Sequence, residues 1–285
     1  MNTSLRVVAQ GIDHYENFPV ASWLCPPRLR PPVAAIYGFA RTADDIADEG
    51  SDPASQRLSD LAAYGADLDA CFAGLPDSGR WPGVFIPLRG AVRDFELPQR
   101  PLADLLLAFE QDVCQSRDGA GYANRSELLD YCRRSANPVG RLLLHLYGIG
   151  DRATQERSDA VCTALQLINF WQDVGVDVVR GRYYLPTEDL QRHGLDPARP
   201  LTWVDHPDAS KLIAALSHWA RSLMVSGAPI VHQVPGRAGW ELRLVVQGGL
   251  RMLDRIEETG FNTFAARPTL GLGDLPAMLW RSLRM

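Results

Sequence analysis

The sequence predicts an all-α fold in a single domain covering residues 1–285. Three observations carry that prediction. Apolar residues recur at helical spacing in roughly eight to ten segments. No stretch of strand length keeps a two-residue alternation of apolar and polar side chains. No linker, internal repeat or low-complexity tract divides the chain, and 46% hydrophobic residues in 285 are enough for a substantial core.

Residues 1–30 hold Pro19, Pro26 and Pro27 and predict an irregular start with one short helix at most. Pro31-Pro32 then opens a helix that runs to about Glu49, where Gly50-Ser-Asp-Pro53 stops it. Helical spacing predicts helices over 54–73, 83–95 and 101–115. Ser116 to Arg125 reads as a Gly-rich polar loop, and Asn124 with Glu127 as a capping box. The next helix, holding Leu128, Tyr131 and Cys132, is interrupted at Asn137-Pro138 and resumes over Val139 to Tyr147. A proline there kinks or restarts a helix and frees backbone groups, which suits a pocket wall. Residues 152–180 form the longest uninterrupted helical pattern, closed by Gly181 and Pro186. Residues 187–208, with Pro197, Pro200 and Pro207, read as loop. Helices return over 209–226 and 238–258, and the tail ends in a short apolar segment, Leu275 to Leu283.

Two of these helices carry polar stripes. In the first, Tyr37, Arg41, Asp44 and Asp48 share one face, flanked by Ala, Ile and Phe. In the second, Gln166, Asn169, Asp173 and Asp177 share a face, followed by Arg182 and Tyr184. Two carboxylates at i,i+4 repel by roughly 0.2–0.5 kcal/mol even when exposed, and burial raises the cost unless a cation intervenes. One such pair alone is more often a solvated helix face. Two pairs, each in an apolar segment, would surround a polar hole with four carboxylates when set face to face. Oxygen ligands of this kind suit a hard divalent cation, Mg²⁺ above all, shared with a substrate phosphate.

Such clusters promote departure of a diphosphate anion. Arg41 and Arg182 are suited to clamp it, since guanidinium matches phosphate oxygens. A carbocation left behind would need a dry apolar and aromatic pocket. Phe18, Tyr37, Phe39, Tyr131, Phe170, Trp171 and Tyr184 are candidates, with core packing the alternative for each. Tyr37, Tyr131 and Tyr184 are favoured because a buried tyrosine hydroxyl must find a partner. The six histidines are scattered, with no Glu-x-x-His among them. There is no G-x-S-x-G and no P-loop, and Gly271-Leu-Gly273 follows no strand, so no reductase-type cofactor such as NADPH is expected.

A net charge of −5 argues against nucleic acid as a partner. Five cysteines without a C-x-x-C fit a reducing compartment and no structural zinc. The N-terminus lacks a signal-peptide apolar core, and no apolar run nears the ~20 residues of a membrane span. The protein is expected to be cytoplasmic, with peripheral contact at the inner membrane left open for its apolar tail.

Taken together, Tyr37-x-x-x-Arg41-x-x-Asp44-Asp45-x-x-Asp48, Tyr131-Cys132 with Val139-Gly140, and Gln166-x-x-Asn169-x-x-x-Asp173-x-x-x-Asp177 followed by Arg182-x-Tyr184-Leu-Pro resemble the squalene/phytoene synthase family of head-to-head prenyl synthases. The resemblance runs from about His14 to Arg267. It implies an isoprenoid synthase bundle with a central cavity and an isoprenoid diphosphate substrate. It implies Mg²⁺ held by Asp44, Asp48, Asp173 and Asp177, with Asn169 as a further oxygen ligand or a support behind them. Arg41 and Arg182 would hold the diphosphate, Tyr37, Tyr131 and Tyr184 would line the ionisation site, and Gln166 and Asn137 would position substrate or water.

Within the family, Glu16 to Ser22 and Arg134-Ser135-Ala136-Asn137-Pro138-Val139-Gly140 resemble the bacterial hydroxysqualene synthases of hopanoid pathways. Phytoene-type members usually carry a Val-Ala-Gly run in the latter stretch. That branch ionises presqualene diphosphate, rearranges the cation and quenches it with water, without NADPH. A presqualene diphosphate synthase would then be the source of its substrate. Two departures stand out: Val176 replaces a frequent Glu, and Gly248-Gly249 stands near a frequent Tyr. Loss of that bulky wall residue is expected to admit water near the cation. The rival reading with the same fold is the condensing activity, making presqualene diphosphate, squalene or phytoene. A rival of another class is a non-catalytic assembly factor, which should have lost carboxylates that this chain keeps.

Overall fold

Helix α1, Arg30–Asp48, sets the frame for one side of the molecule. It starts from a single 3₁₀ turn, Pro27–Leu29, and places Pro31 and Pro32 where a helix loses no amide partner. The structure, a computed structural model, describes residues 25–285. His14, Phe18 and the Glu16 to Ser22 stretch lie outside the described residues.

The helices α2 (Ala54–Ala73), α3 (Pro82–Phe95) and α4 (Gln99–Asp118) follow. The last runs three residues into the predicted loop before Gly119, at φ 61°, closes it. Asn124 caps α5 (Arg125–Ser135) by accepting from the Glu127 amide at 3.0 Å, and Glu127 reaches back to the Ala123 amide at 2.7 Å. The break expected at Asn137-Pro138 is present. Helix α5 ends at Ser135, Ala136 (φ −114°, ψ −48°) stands between, and α6 (Asn137–Leu146) restarts with Pro138 in its first turn.

The longest helix, α7 (Arg152–Val179), is capped by Asp151 accepting from the Thr154 amide at 2.9 Å. It ends where Gly181 turns at φ 76°. The predicted loop 187–208 instead contains α8 (Thr187–Arg192) and a 3₁₀ turn, Pro200–Asp205. A six-residue helix leaves little periodicity in sequence, and this one is fixed from outside. Buried Asp189 accepts two 2.9 Å bonds from Arg125 of α5. Helices α9 (Ala209–Gly227), α10 (Gly236–Glu258) and α11 (Leu275–Ser282) complete the chain. There is no strand among the described residues, so the all-α expectation holds; Gly121 and Tyr183 form one isolated bridge.

Two apolar cores lie side by side. The first joins α1 to α4 around Phe39, Tyr64, Phe85 and Leu102. The second surrounds α7 with Leu167, Trp171, Leu216 and Leu253. Each fully buried large side chain contributes about 1.5–3 kcal/mol. Helix α6 serves both, with Leu142 and Leu146 in the first core and Leu144 in the second. Phe39 stacks on Tyr64 at 5.1 Å, and Trp171 is fully buried in the second core. Both therefore take the packing alternative rather than the pocket one.

Candidate active site

Along the seam between the cores lies a cavity of about 490 Å³. Tyr37, Arg41 and Asp44 of α1 line one side, and Leu165, Gln166 and Asn169 of α7 line the other. Tyr37, Arg41 and Asp44 of one stripe therefore face Gln166 and Asn169 of the other across the cavity, whereas Asp48 lines only an adjoining polar cavity and Asp173 and Asp177 line neither. Aliphatic residues such as Val33, Ile36, Leu143, Val161 and Val245 make most of the remaining wall. Phe109 and Tyr147 are its other aromatic members beside Tyr37. A second cavity, about 820 Å³, is polar. Asp44, Asp48, Glu49, Asp52 and Asp112 line it together with Arg41, Arg57, Arg117, Arg180 and Arg182. The two cavities share Arg41 and Asp44. An amphiphile with a charged head and a long apolar tail matches that junction.

Charge balance at the junction comes from arginines. Arg41 contacts Asp44 at 3.2 Å, Asp45 at 2.8 Å and Glu49 at 2.9 Å. Arg182, just after α7, pairs with Asp48 of α1. Arg267, from the tail, pairs with Asp173, its Nη2 lying 3.0 Å from Oδ2. Burial, then repulsion from Asp48, pushes the Asp44 carboxyl up to about 6 against the pull of Arg41. Burial, then Asp173, pushes Asp177 up to about 7 against Arg182 and Arg180. Asp48 also repels Asp177, so the acidic ends of the two stripes feel each other.

Asp44 and Asp177 are raised, chiefly by burial, in spite of the arginines beside them, and the donors are oxygen throughout. That combination fits a hard divalent cation such as Mg²⁺. Among the described residues no three His, Cys, Asp or Glu side chains are already drawn together as a metal cluster.

The remaining candidates sit behind these walls. Tyr131 is buried and donates to Asp112 Oδ2 at 2.7 Å. Phe170 and Tyr184 stack at 3.8 Å with 9° between their rings, and Tyr131 lies 6.2 Å from each. This cluster supports the polar cavity from the rear; neither tyrosine is among the lining side chains. Asn137 is buried in the α6–α7 contact, where its Oδ1 accepts from the Thr163 hydroxyl at 2.9 Å. It fixes that contact and is absent from both linings.

The expectation for Gly248-Gly249 needs correction. A Cβ on Gly249 would lie 2.6 Å from Met224 Cε and 3.1 Å from Leu165 Cδ2, in tight packing of α10 against α9 and α7. A Cβ on Gly248 would face Met278 at 3.5 Å. Neither glycine opens a space beside the cavity.

Sequence reasoning missed Asp112, Arg57 and Arg267. Asp112 interrupts an apolar helical pattern next to Phe109 and Val113, which was its one signal. Burial pushes its carboxyl up to about 7, with the Tyr131 bond pulling the other way. Arg57 donates to the carbonyls of Ala47, Gly50 and Asp52, and so pins the end of α1 that carries Asp48. Arg267 sits in an aperiodic tail and reaches α7 by folding alone.

The sequence profile of squalene/phytoene synthases matches residues 13–274. The chain belongs to the squalene/phytoene synthase family. Among its relatives in this family, a hydroxysqualene synthase of Rhodopseudomonas palustris is 35% identical over 246 residues, covering 85% of this chain and 80% of that protein. A presqualene diphosphate synthase of the same organism is 27% identical over 271 residues, covering 95% and 94%. The crystal structure of squalene synthase HpnC from Alicyclobacillus acidocaldarius superposes with a TM-score of 0.77 at 33% identity, covering 92% of this chain and 97% of that one.

Proposed function

We propose that the chain is a hydroxysqualene synthase. It takes presqualene diphosphate and water to hydroxysqualene and diphosphate, consuming no nicotinamide. The observation that carries this is the junction at Arg41 and Asp44, where a charged cavity meets an apolar one. The hydroxysqualene synthase at 35% identity supports the same choice within the family.

Asp44 and Asp48 from α1, with Asp173 and Asp177 from α7, would hold Mg²⁺, and Asn169 would add an oxygen or support them. Mg²⁺ when bound neutralises charge on the departing diphosphate. Arg41 and Arg182 orient the diphosphate in the polar cavity by charge-assisted bonds. Tyr131 holds Asp112 in place behind it, with Tyr184 packed alongside. Tyr37 and Gln166 stand on the cavity wall beside the reacting carbons. Aliphatic walls exclude bulk water, so the cation survives rearrangement before it is quenched.

The substrate is a lipid and would pass from a presqualene diphosphate synthase at a membrane surface. No helix of the described residues is long and apolar enough to cross a membrane. The exposed Leu272, Leu275, Leu279, Trp280 and Leu283 at the C-terminal end support peripheral contact instead.

The test is a product assay on purified protein with presqualene diphosphate and Mg²⁺, without nicotinamide. An alcohol product is expected. The second reading, condensation of two farnesyl diphosphates, is favoured by the presqualene diphosphate synthase matched over 95% of the chain. No turnover of presqualene diphosphate, with farnesyl diphosphate consumed instead, would replace the first reading with the second.

A further inference from the structure

We propose that Asp112 is a further ligand for the divalent cation that carries the diphosphate, supplied from a third helix, α4. This ligand rests on the metal and diphosphate part of the reading above, and not on which product is made. Asp112 lines the polar cavity, as do Asp44 and Asp48 of α1. Asp173 and Asp177 do not. Among the paired aspartates, only those of α1 therefore stand on the wall of the space that would take the diphosphate. Asp112 joins them there from another helix.

The side chain is held as a metal ligand is held. Tyr131 donates to its Oδ2 at 2.7 Å. Its Oδ1 makes no hydrogen bond among the described residues, yet it is not one of their enclosed unbonded oxygens, so it is open to a water-sized species. A carboxylate that ligates a metal commonly accepts a hydrogen bond as well, which fixes its direction. Tyr131 is itself fixed. It is buried, with its ring 5.5 Å from Tyr122 and 6.2 Å from both Phe170 and Tyr184. Tyr131 is thus a positioning residue, acting through Asp112.

The charges point the same way. Asp48 and Asp44 repel the Asp112 carboxyl and Arg182 attracts it, and all three line the same cavity. Arg182 pairs with Asp48 and also draws Asp44 and Asp177. One guanidinium therefore serves four carboxylates from three helices, in the place of a central cation. Crowded carboxylates out of water are costly without a counter-charge. A divalent cation among them would offset that cost and leave Arg182 to the diphosphate oxygens.

The experiment has two readouts on the full chain at pH 8, above the value of about 7 to which burial pushes Asp112. Titration calorimetry with inorganic diphosphate and Mg²⁺ reads binding. Thermal melting without either reads the fold. Asp112→Asn is expected to bind diphosphate with Mg²⁺ at least about tenfold more weakly than wild type. Without Mg²⁺ it is expected to melt no lower, because a repelling charge is gone and the amide oxygen still accepts from Tyr131. Tyr131→Phe keeps the carboxylate but frees its direction, and is expected to weaken the same binding by a smaller factor. Binding and melting lowered together in Asp112→Asn would make Asp112 a structural support only. Undiminished binding would make it a bystander, and either result overturns the proposal. Diphosphate binding by wild type that Mg²⁺ does not strengthen overturns the metal reading and this ligand with it. The expected loss of binding in a protein that makes no alcohol upholds Asp112 and overturns the hydroxysqualene step alone.

Discussion

The stripe on α1 and the stripe on α7 carry aspartates at the same spacing, yet their charge is balanced from different places. On α1 the counter-charge is local: Arg41 reaches Asp44, Asp45 and Glu49 within the same helix and its cap. On α7 it arrives from a distance. Asp173 is met by Arg267, far along the chain, and Asp177 feels Arg182 from beyond the helix end. Arg182 also crosses to Asp48 and ties the two stripes together. The α1 half is assembled once its helix forms. The α7 half exists only when the tail has docked.

Asn substitutions test the equivalence of the two stripes. Asp44→Asn and Asp173→Asn should each cost at least about a hundredfold in kcat with the helical fold retained, because both remove charge stabilisation of the leaving diphosphate. Circular dichroism checks the fold and a diphosphate-release assay the rate. A near-wild-type rate in either variant would remove that stripe from the site.

Glycine substitutions test their difference, with a smaller effect. A Cβ on Gly175 of α7 would run into the backbone carbonyl of Phe264, so the tail must shift. That shift loosens Arg267 from Asp173 and breaks the 2.9 Å bond from Gln172 to the Pro268 carbonyl. Gly175→Ala should lose about tenfold in kcat/KM, the worth of one charged hydrogen bond. Gly38 of α1 has nothing within 4 Å of where its Cβ would be, so Gly38→Ala should stabilise by up to about 1 kcal/mol through helix propensity. Equal behaviour of the two variants in activity and melting would erase the contrast.

That contrast also explains what could be read in the chain beforehand. Helix identity and the α1 stripe follow from local spacing, since Arg41 and Asp44 pair within one helix and share a cavity wall with Tyr37. The break after Ser135 is equally local, because Pro138 imposes it. Asp112, Arg267 and the backing role of Tyr131 depend on which helix faces which, and one sequence carries no such information. For the same reason residue type alone leaves the aromatics open between pocket and core packing. Phe39 and Trp171 have the residue type for a cation pocket, but their partners Tyr64 and Trp219 place them in the cores. Gly249 shows a missing side chain that marks close helix packing.

Acidity gives the smallest and most general test of the α7 half. Asp177 is raised from 3.8 to about 7 and Asp44 from 3.8 to about 6, each chiefly by burial and then by its neighbouring aspartate. Asp112, which lines the polar cavity together with Asp44, is raised to about 7. In this window the folded chain binds more protons than the unfolded one, so these groups make stability fall as pH rises. For the protein alone, the melting temperature should decline from about pH 4 to about pH 7, most steeply between the ordinary and the raised values, and level off above them. Asp177→Asn removes one proton-binding group and should flatten the decline without changing the fold. Mg²⁺ with inorganic diphosphate binds the ionised carboxylates and should recover part of the loss at the alkaline end. Identical pH slopes for wild type and Asp177→Asn would mean that Asp177 ionises freely, and that the α7 stripe is neither buried nor crowded by Asp173.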